Sequence, residues 1–375
     1  MQSFVFALLA YFSIGDSAYA MEPTHAQYNF SSYNFSQQGP LALKGHWKFW
    51  WQQEPTTQAL QNWNHPHEIL VPGGWADYDN GSLTPTQNGW GVFGFRIKSL
   101  KNPIRLVIPN IGSSYKLVLK NSDGSLSELG GAGKFSEQEV NHLPWTQLLS
   151  YAIPASKDWF VILLYVSNYE IRHGGVFEPP ILMTMEQEHR FRFTRFSLTA
   201  TVMGMIIILG FYHMSLFLYR REDIPSLCLS IWSILYALRL YGMEGFHASL
   251  MKPSLAAFDW KWRFEMIGIV VPGLFVFSIS SSFRQYSWVY LSRSLLALSM
   301  ILCFPVLFTP PKVFMSLLPL VQAFNLGSIV LCSLISLRAV FGGASGGMTS
   351  LIGCLILFLA GIHDVLVARG MLAPP

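Results

Sequence analysis

The chain is 375 residues long, with 51% hydrophobic and 15% aromatic residues but only 12% charged ones, about half the charged share of an ordinary soluble domain. That length admits two or a few folding units, and so apolar a composition excludes a purely soluble chain and a disordered one. The formal net charge is +4, and residues 196–375 carry 11 Lys/Arg and 6 Asp/Glu against 14 and 15 in the first 195; no basic stripe of the kind that follows a phosphate backbone results, so no nucleic-acid partner is expected.

Residues Phe4 to Ile14 form an apolar run too short to span a bilayer. Ser17-Ala18-Tyr19-Ala20 places small residues at the −3 and −1 positions of a signal-peptidase site. The expectation is an exported protein whose signal peptide is residues 1–20. The run lacks Lys and Arg at its start, and an uncleaved anchor helix is the alternative. All four cysteines (Cys228, Cys303, Cys332, Cys354) lie in the apolar half. The exported domain, residues 21–190, therefore has to be held by its own core without disulfides.

Between about Leu41 and Thr184, short aromatic and β-branched runs are broken by Gly, Pro, Asn and Asp every eight to twelve residues, the pattern of an all-β domain. Strands are expected over Leu43–Trp51, Glu68–Val71, Gly91–Ile97, Arg105–Ile108, Lys116–Leu119 and Trp159–Val166, giving a β-sandwich or jelly roll. The segments Gly45-His46-Trp47-Lys48-Phe49, Val71-Pro72-Gly73-Gly74-Trp75, Gly91-Val92-Phe93-Gly94-Phe95-Arg96 and Val166-Ser167-Asn168 through Arg172-His173-Gly174-Gly175 occur in an order that resembles the galactose-binding-like jelly roll preceding the catalytic barrel of family 2 glycoside hydrolases. No carboxylate pair stands out as acid and nucleophile, and the barrel is absent, so sugar cleavage is not expected.

A flat indole face matches the apolar face of a pyranose. Trp47, Trp50, Trp51, Trp75, Trp90 and Trp145 are therefore either stacking platforms or core, core being the commoner use. The set expected to bind ligand is Trp75, Trp90, Arg96, Asn168, Arg172 and His173: arginine offers a fork of donors to a carboxylate or vicinal hydroxyls, and asparagine both donates and accepts. Against this, Asn168 after a strand is a good turn former, and Gly174-Gly175 mark a tight turn.

Six apolar stretches follow, at 196–219, 224–242, 264–282, 288–308, 313–337 and 347–368, each near the ~20 residues a bilayer needs. Residues 191–375 are thus expected to form a polytopic helical membrane domain. With the first domain outside, Arg220, Arg221, Arg284 and Arg338 fall on the inner side, and Lys252, Lys261, Arg263, Lys312 and Arg369 on the outer one. That count opposes the positive-inside tendency, but a long translocated domain sets the first span's direction. Charged or polar groups at bilayer depth turn inward to a partner, which singles out His213, Arg239, Glu265, His363 and Asp364 as a polar relay, with Arg239 and Glu265 expected to pair between the second and third spans. Snorkelling at helix ends is the plainer alternative. No lysine falls inside the six stretches, so no retinal Schiff base is expected unless a seventh span supplies the lysine, and no cofactor of any other kind is expected. His363 and Asp364 are adjacent rather than three or four apart, so no metal site is expected.

Tyr212-His213-Met214-Ser215-Leu216-Phe217-Leu218-Tyr219-Arg220-Arg221-Glu222-Asp223, Tyr236-Ala237-Leu238-Arg239-Leu240, Arg263-Phe264-Glu265 and Gly361-Ile362-His363-Asp364-Val365-Leu366 recur in this order. Behind the sandwich they resemble the bacterial seven-transmembrane receptors with diverse intracellular signalling modules. That resemblance implies a receptor of the bacterial inner membrane with a periplasmic jelly roll, binding a small carbohydrate-like or carboxylated ligand. It also implies a bundle that speaks to a cytoplasmic output domain or partner, and a second copy of the chain is admitted as a partner too. The chain departs from the family by ending at Pro375, before a seventh span and any output module, which reads either as a truncation, favoured by an ending in the loop before a seventh span, or as a receptor that signals only through partners. The rival reading is a transporter or channel with a solute-capturing ectodomain; Pro272-Gly273 and Pro319 are expected to interrupt two spans, but no internal repeat accompanies them.

Overall fold

The computed structural model describes residues 19–21, 26–63, 67–78, 84–98, 100–109, 111, 113–121, 123–172, 174–243 and 245–368. Among the described residues two compact units emerge, one holding 19–195 together with Ala248–Phe258, the other Phe196–His247 and 259–368. The expected signal peptide lies outside the described residues except for Tyr19 and Ala20, which sit with Met21 in an edge strand.

The first unit is a β-sandwich. Its strands are β1 Tyr19–Met21, β2 Gln27–Asn29, β3 Leu41–Leu43, β4 Gly45–Trp51, β5 Glu68–Val71, β6 Gly73–Gly74, β7 Gly89–Lys98, β8 Ile104–Ile108, β9 Ser114–Lys120, β10 Leu126–Ala132, β11 Leu149–Ile153, β12 Phe160–Asn168, β13 Gly175–Val176 and β14 Ile181–Met183. One sheet runs β1-β3-β14-β8-β11, the other β10-β9-β12-β7-β4-β5 with β2 added alongside β7, and β13 pairs with β6. Two short helices, α1 Phe35–Gln38 and α2 Thr57–Asn62, interrupt the strands.

One continuous apolar core joins the two sheets: Leu43, Leu106, Leu182 and Ile153 from the first meet Trp47, Phe49, Phe93, Phe95, Leu117 and Ile162 from the second. Strand β12 is buried along its whole length between β9 and β7. That burial is why residues 160–166 form an unbroken apolar run instead of the alternation of a half-exposed strand. The buried indole of Trp47 donates from Nε1 to the Tyr28 hydroxyl at 3.0 Å, which donates onward to Lys44 O at 3.0 Å, so these two buried polar groups are satisfied.

The expected single strand Leu43–Trp51 is in fact two. β3 belongs to the first sheet and β4 to the second, and the chain crosses between them at Gly45, whose φ of +118° only glycine adopts readily. The other five expected strands are present with ends shifted by two residues or fewer.

The second unit is helical. Its helices are α3 Met185–Tyr219, whose first turns lie in the sandwich unit, α4 Ile224–Met243, α5 His247–Leu250, α6 Leu255–Val270, α7 Pro272–Ser282, α8 Val289–Phe308, α9 Pro311–Phe314, α10 Leu318–Phe341 and α11 Gly347–Ala368. Among the described residues, five stretches are long and apolar enough to cross a membrane: Met185–Tyr219, Ile224–Met243, Leu255–Ser282, Val289–Phe308 and Pro311–Phe341, with Gly347–His363 a shorter apolar helix. Pro272 does break a helix, opening α7 after Val271. Pro319 does not; it sits in the first turn of α10, where a missing N–H costs nothing, so it starts a helix instead of interrupting one.

Small residues let the helices approach. Gly273 N–H donates to Ser299 Oγ at 2.9 Å, and a Cβ on Gly273 would lie 2.5 Å from the Leu295 carbonyl oxygen of α8. Ser336 on α10 and Ser350 on α11 share a hydrogen bond of 2.8 Å. Helix α6 begins nine residues before the expected third stretch. Lys261 therefore lies inside the Leu255–Ser282 stretch, correcting the expectation that these spans hold no lysine.

Candidate functional site

Three of the residues expected to bind ligand in the sandwich, Trp75, Trp90 and Asn168, are buried. Trp75 is fully buried; its Nε1 donates to Thr86 O at 3.0 Å, and its ring packs against Trp51 and Phe93 at centroid distances of 5.2 and 6.3 Å. Trp90 is buried beside Phe135, edge to face at 5.9 Å. Asn168, also fully buried, donates from Nδ2 to Gln87 O at 3.1 Å and Ile171 O at 2.8 Å, while its Oδ1 accepts from Ile171 N–H at 3.2 Å. These are the bonds of a turn former, and they use up the amide.

Arg96 lies six residues from Trp90 along β7, about 20 Å away at strand rise. Its guanidinium sits 4.6 Å over Trp63 and donates to the carbonyls of Leu60 and Gln61 at the end of α2. It thus closes the C-terminus of a helix, as a cation does well. Arg172 is half-buried. His173 lies outside the described residues. Indole and asparagine are as useful to a core and a turn as to a ligand, and nothing in the sequence separates the two uses.

A different feature gathers at the start of α3. Thr184 caps this helix: its Oγ1 accepts from Gln187 N–H at 3.2 Å, and Gln187 Oε1 accepts from Thr184 N–H at 2.8 Å. This reciprocal box, readable in Thr184-Met185-Glu186-Gln187, is why the helix begins eleven residues before the expected apolar stretch. One turn on, Glu188 is buried. It accepts from Arg105 Nε of β8 at 2.9 Å and pairs with Arg192 at 3.6 Å, while Arg105 Nε also reaches Ser150 Oγ of β11 at 2.9 Å and Arg192 Nη2 donates to Leu148 O at 3.0 Å. Gln187 Nε2 donates to Phe35 O at 2.7 Å. One strand, a helix and a loop of the sandwich unit therefore hold the first turns of α3 by side-chain bonds.

Beside this junction lies a cleft of about 140 Å³. Its floor is apolar, from Phe30, Phe35, Leu100 and Ile104, and its rim includes Lys101, Asn102 and the capping residue Thr184. None of these carried a sequence signal, because the two loops that meet there are 64 or more residues apart in the chain.

A buried polar knot lies elsewhere in the sandwich. His142 contacts Ser113 Oγ through Nε2 at 3.0 Å, and Ser114 Oγ and Ser167 Oγ through Nδ1 at 3.2 and 3.1 Å. Its ring meets Tyr169 edge to face at 5.1 Å. Burial pushes His142 down from its ordinary 6.5 to about 4. Between those values the unfolded chain binds a proton that the folded one refuses, so this group's contribution to stability is full above pH 6.5 and falls as pH drops through that window. Melting temperature measured from pH 7 to pH 4 should fall more steeply for the native chain than for His142→Gln; parallel curves would show that His142 is not the group responsible.

In the helical unit, Arg239 and Glu265 come to the same α4–α6 interface. A Cβ on Gly268 of α6 would lie 2.6 Å from Arg239 Cβ, and one on Gly242 of α4 would lie 3.2 Å from Glu265 Cγ. Glu265 is held at 2.6 Å by Lys261, one turn earlier on its own helix, and the Arg239 guanidinium lies 5.5 Å over Tyr236. Lys261, which loop assignment had hidden, thus stands beside Glu265 at this interface. His213 is on α3, its ring 5.2 Å from that of Tyr212 and its Nδ1 buried without a hydrogen-bond partner among the described residues. His363 is half-buried on α11, and Asp364 follows it there, its side chain outside the described residues. No group of three or more His, Cys, Asp or Glu among the described residues is placed to hold a metal ion.

Among solved structures, similarity is found to the GH2 β-galacturonidase of Eisenbergiella tayi bound to galacturonate (13% identity, 38% of this chain and 24% of that one, TM-score 0.26). It is also found to the β-glucuronidase of Ruminococcus gnavus (14% identity, 38% and 28%, TM-score 0.27). The chain spans about a quarter of the length of these enzymes, and likeness of this degree carries no argument about fold, ligand or activity. A search of curated proteins gave no match. The family model of 7TM diverse intracellular signalling matches residues 195–375. That match covers the helical part of the chain, which α3 joins to the β-sandwich, and it makes this part similar to the membrane domain of the 7TM diverse intracellular signalling family.

Proposed function

We propose that the protein is a non-catalytic sensory receptor of the bacterial inner membrane. Its sandwich faces the periplasm and binds a small ligand, and the helices pass the change to a cytoplasmic output domain or partner. The observation that carries this reading is the junction at Glu188. The last strand of the sandwich runs into α3 with a turn of one residue, Thr184, and the helix's first turns are bonded to β8, to α1 and to the loop before β11. A binding event shifts such a system only through different affinities for two arrangements, and side-chain bonds that exchange partners between strand and helix supply two arrangements.

Orientation is tested with reporter fusions to the whole chain. Fusions after Arg221, Arg284 and Phe341 should read cytoplasmic, and those after Glu244 and Pro311 periplasmic. The reversed pattern would mean that loop charge, not the exported domain, sets the topology. The receptor reading itself is tested by hydrogen exchange at the amides of residues 188–195 with and without ligand. Exchange that ligand leaves unchanged speaks against α3 as the route inward.

A further inference from the structure

We propose that the cleft beside α3 is the ligand site of the sandwich and takes a small monocarboxylate with an apolar body, a refinement that rests on the receptor reading above. Three observations carry it. The cleft is of a size for a ligand of about ten heavy atoms, and its floor of Phe30, Phe35, Leu100 and Ile104 is aromatic and aliphatic, which suits an apolar face.

Most polar groups along its wall are already committed inside the protein. Tyr33 Oη donates to Gly39 O at 3.1 Å, Asn34 Oδ1 accepts from Ser36 N–H at 3.1 Å, and Thr184 Oγ1 accepts from Gln187 N–H. What remains for a ligand is Lys101, Asn102, the Ser36 hydroxyl, the Asn34 NH2 and the Thr184 O–H. Most of these are donors, so the hydroxyl protons of a sugar would meet few acceptors, and each one buried unpaired would weaken binding. A ligand with one polar end meets no such penalty.

The third observation is charge. Lys101 is the single ionisable residue lining the cleft besides the Tyr33 phenol, and it makes no ion pair among the described residues. A carboxylate is the polar end that this lysine favours. A molecule seated there touches Thr184, the cap of α3, and Phe35, whose carbonyl accepts from Gln187 of the same helix. Occupancy would thus act on the helix start directly.

The test uses the full chain in detergent with Ser36→Cys, and separately Asn102→Cys in case one variant folds poorly. Labelling by a charged methanethiosulfonate is followed, with the native protein as the blank for its four cysteines. Benzoate should slow labelling in either variant, its neutral isostere benzamide about fivefold less effectively, as a partly exposed ion pair allows. Lys101→Gln should remove that difference. Equal protection by benzoate and benzamide, protection by neither, or stronger protection by D-glucose overturns the assignment. Hydrogen exchange at residues 188–195 with benzoate present separates the two proposals. Protection of the cysteine with unchanged exchange leaves the cleft a carboxylate site and removes the receptor reading, whereas altered exchange without cysteine protection places the ligand elsewhere and keeps that reading.

Discussion

Glu188→Ala should lower the stability of the intact protein by about 2 kcal/mol, because it leaves two arginines without the carboxylate that both address. The figure is set below the 3–5 kcal/mol of a fully buried pair because the Arg105 and Arg192 side chains are 32% and 33% exposed and water screens part of the loss. The same substitution should raise hydrogen exchange in the first turns of α3, since Glu188 is the atom group common to β8 and the helix. Glu188→Leu combined with Arg105→Met should recover much of the melting temperature, as apolar replacements of buried ion pairs often do, while leaving α3 without an exchangeable bond to the sheet. Native-like melting of Glu188→Ala would mean that backbone continuity and the Thr184–Gln187 cap hold the helix without this ion pair.

What could be read beforehand divides along physical lines. The sandwich was legible because its long strands carry aromatic and β-branched residues between breakers. The membrane half was legible because a span needs a run of apolar residues longer than almost any soluble helix. Strands β1, β2, β6, β13 and β14 are two or three residues long, too short for any period to register; tertiary pairing makes them. Lys261 was missed because its helix enters with Asp259, Lys261, Arg263 and Glu265 on it, and charge density alone looks like a loop. Only packing shows that Lys261 is 3% exposed and bonded to Glu265.

The candidate binding residues rested on residue type alone. Sequence order placed Trp75, Asn168 and Arg172 among motifs of a sugar-binding fold, yet residue type cannot say which face of an indole is free. The cleft beside α3 is built from Phe30, Tyr33–Ser36, Leu100–Ile104 and Thr184, three segments that become neighbours only when β2, β7, β8 and β14 take their places.

That reassignment has a sharp consequence for Trp75. It packs directly on Gly174, where an added Cβ would lie 2.0 Å from Trp75 Cζ2, and Trp75 N–H donates to Gly174 O at 2.9 Å. Gly174 has no positive φ, so alanine is excluded there by contact alone and not by backbone strain. Gly174→Ala should therefore destabilise the protein by about 3 kcal/mol through overpacking, and Trp75→Ala by about 3–5 kcal/mol through the cavity left by a fully buried indole. The decisive measurement is the cycle between them: with the indole gone there is nothing for the new methyl to strike, so Gly174→Ala should cost less than about 1 kcal/mol in the Trp75→Ala background, a coupling of about 2 kcal/mol. Equal costs in both backgrounds would show that Gly174 is required for some other reason. A Trp75→Ala protein that melts like the native one while no longer binding ligand would return the indole to the role of a stacking platform, which its burial argues against.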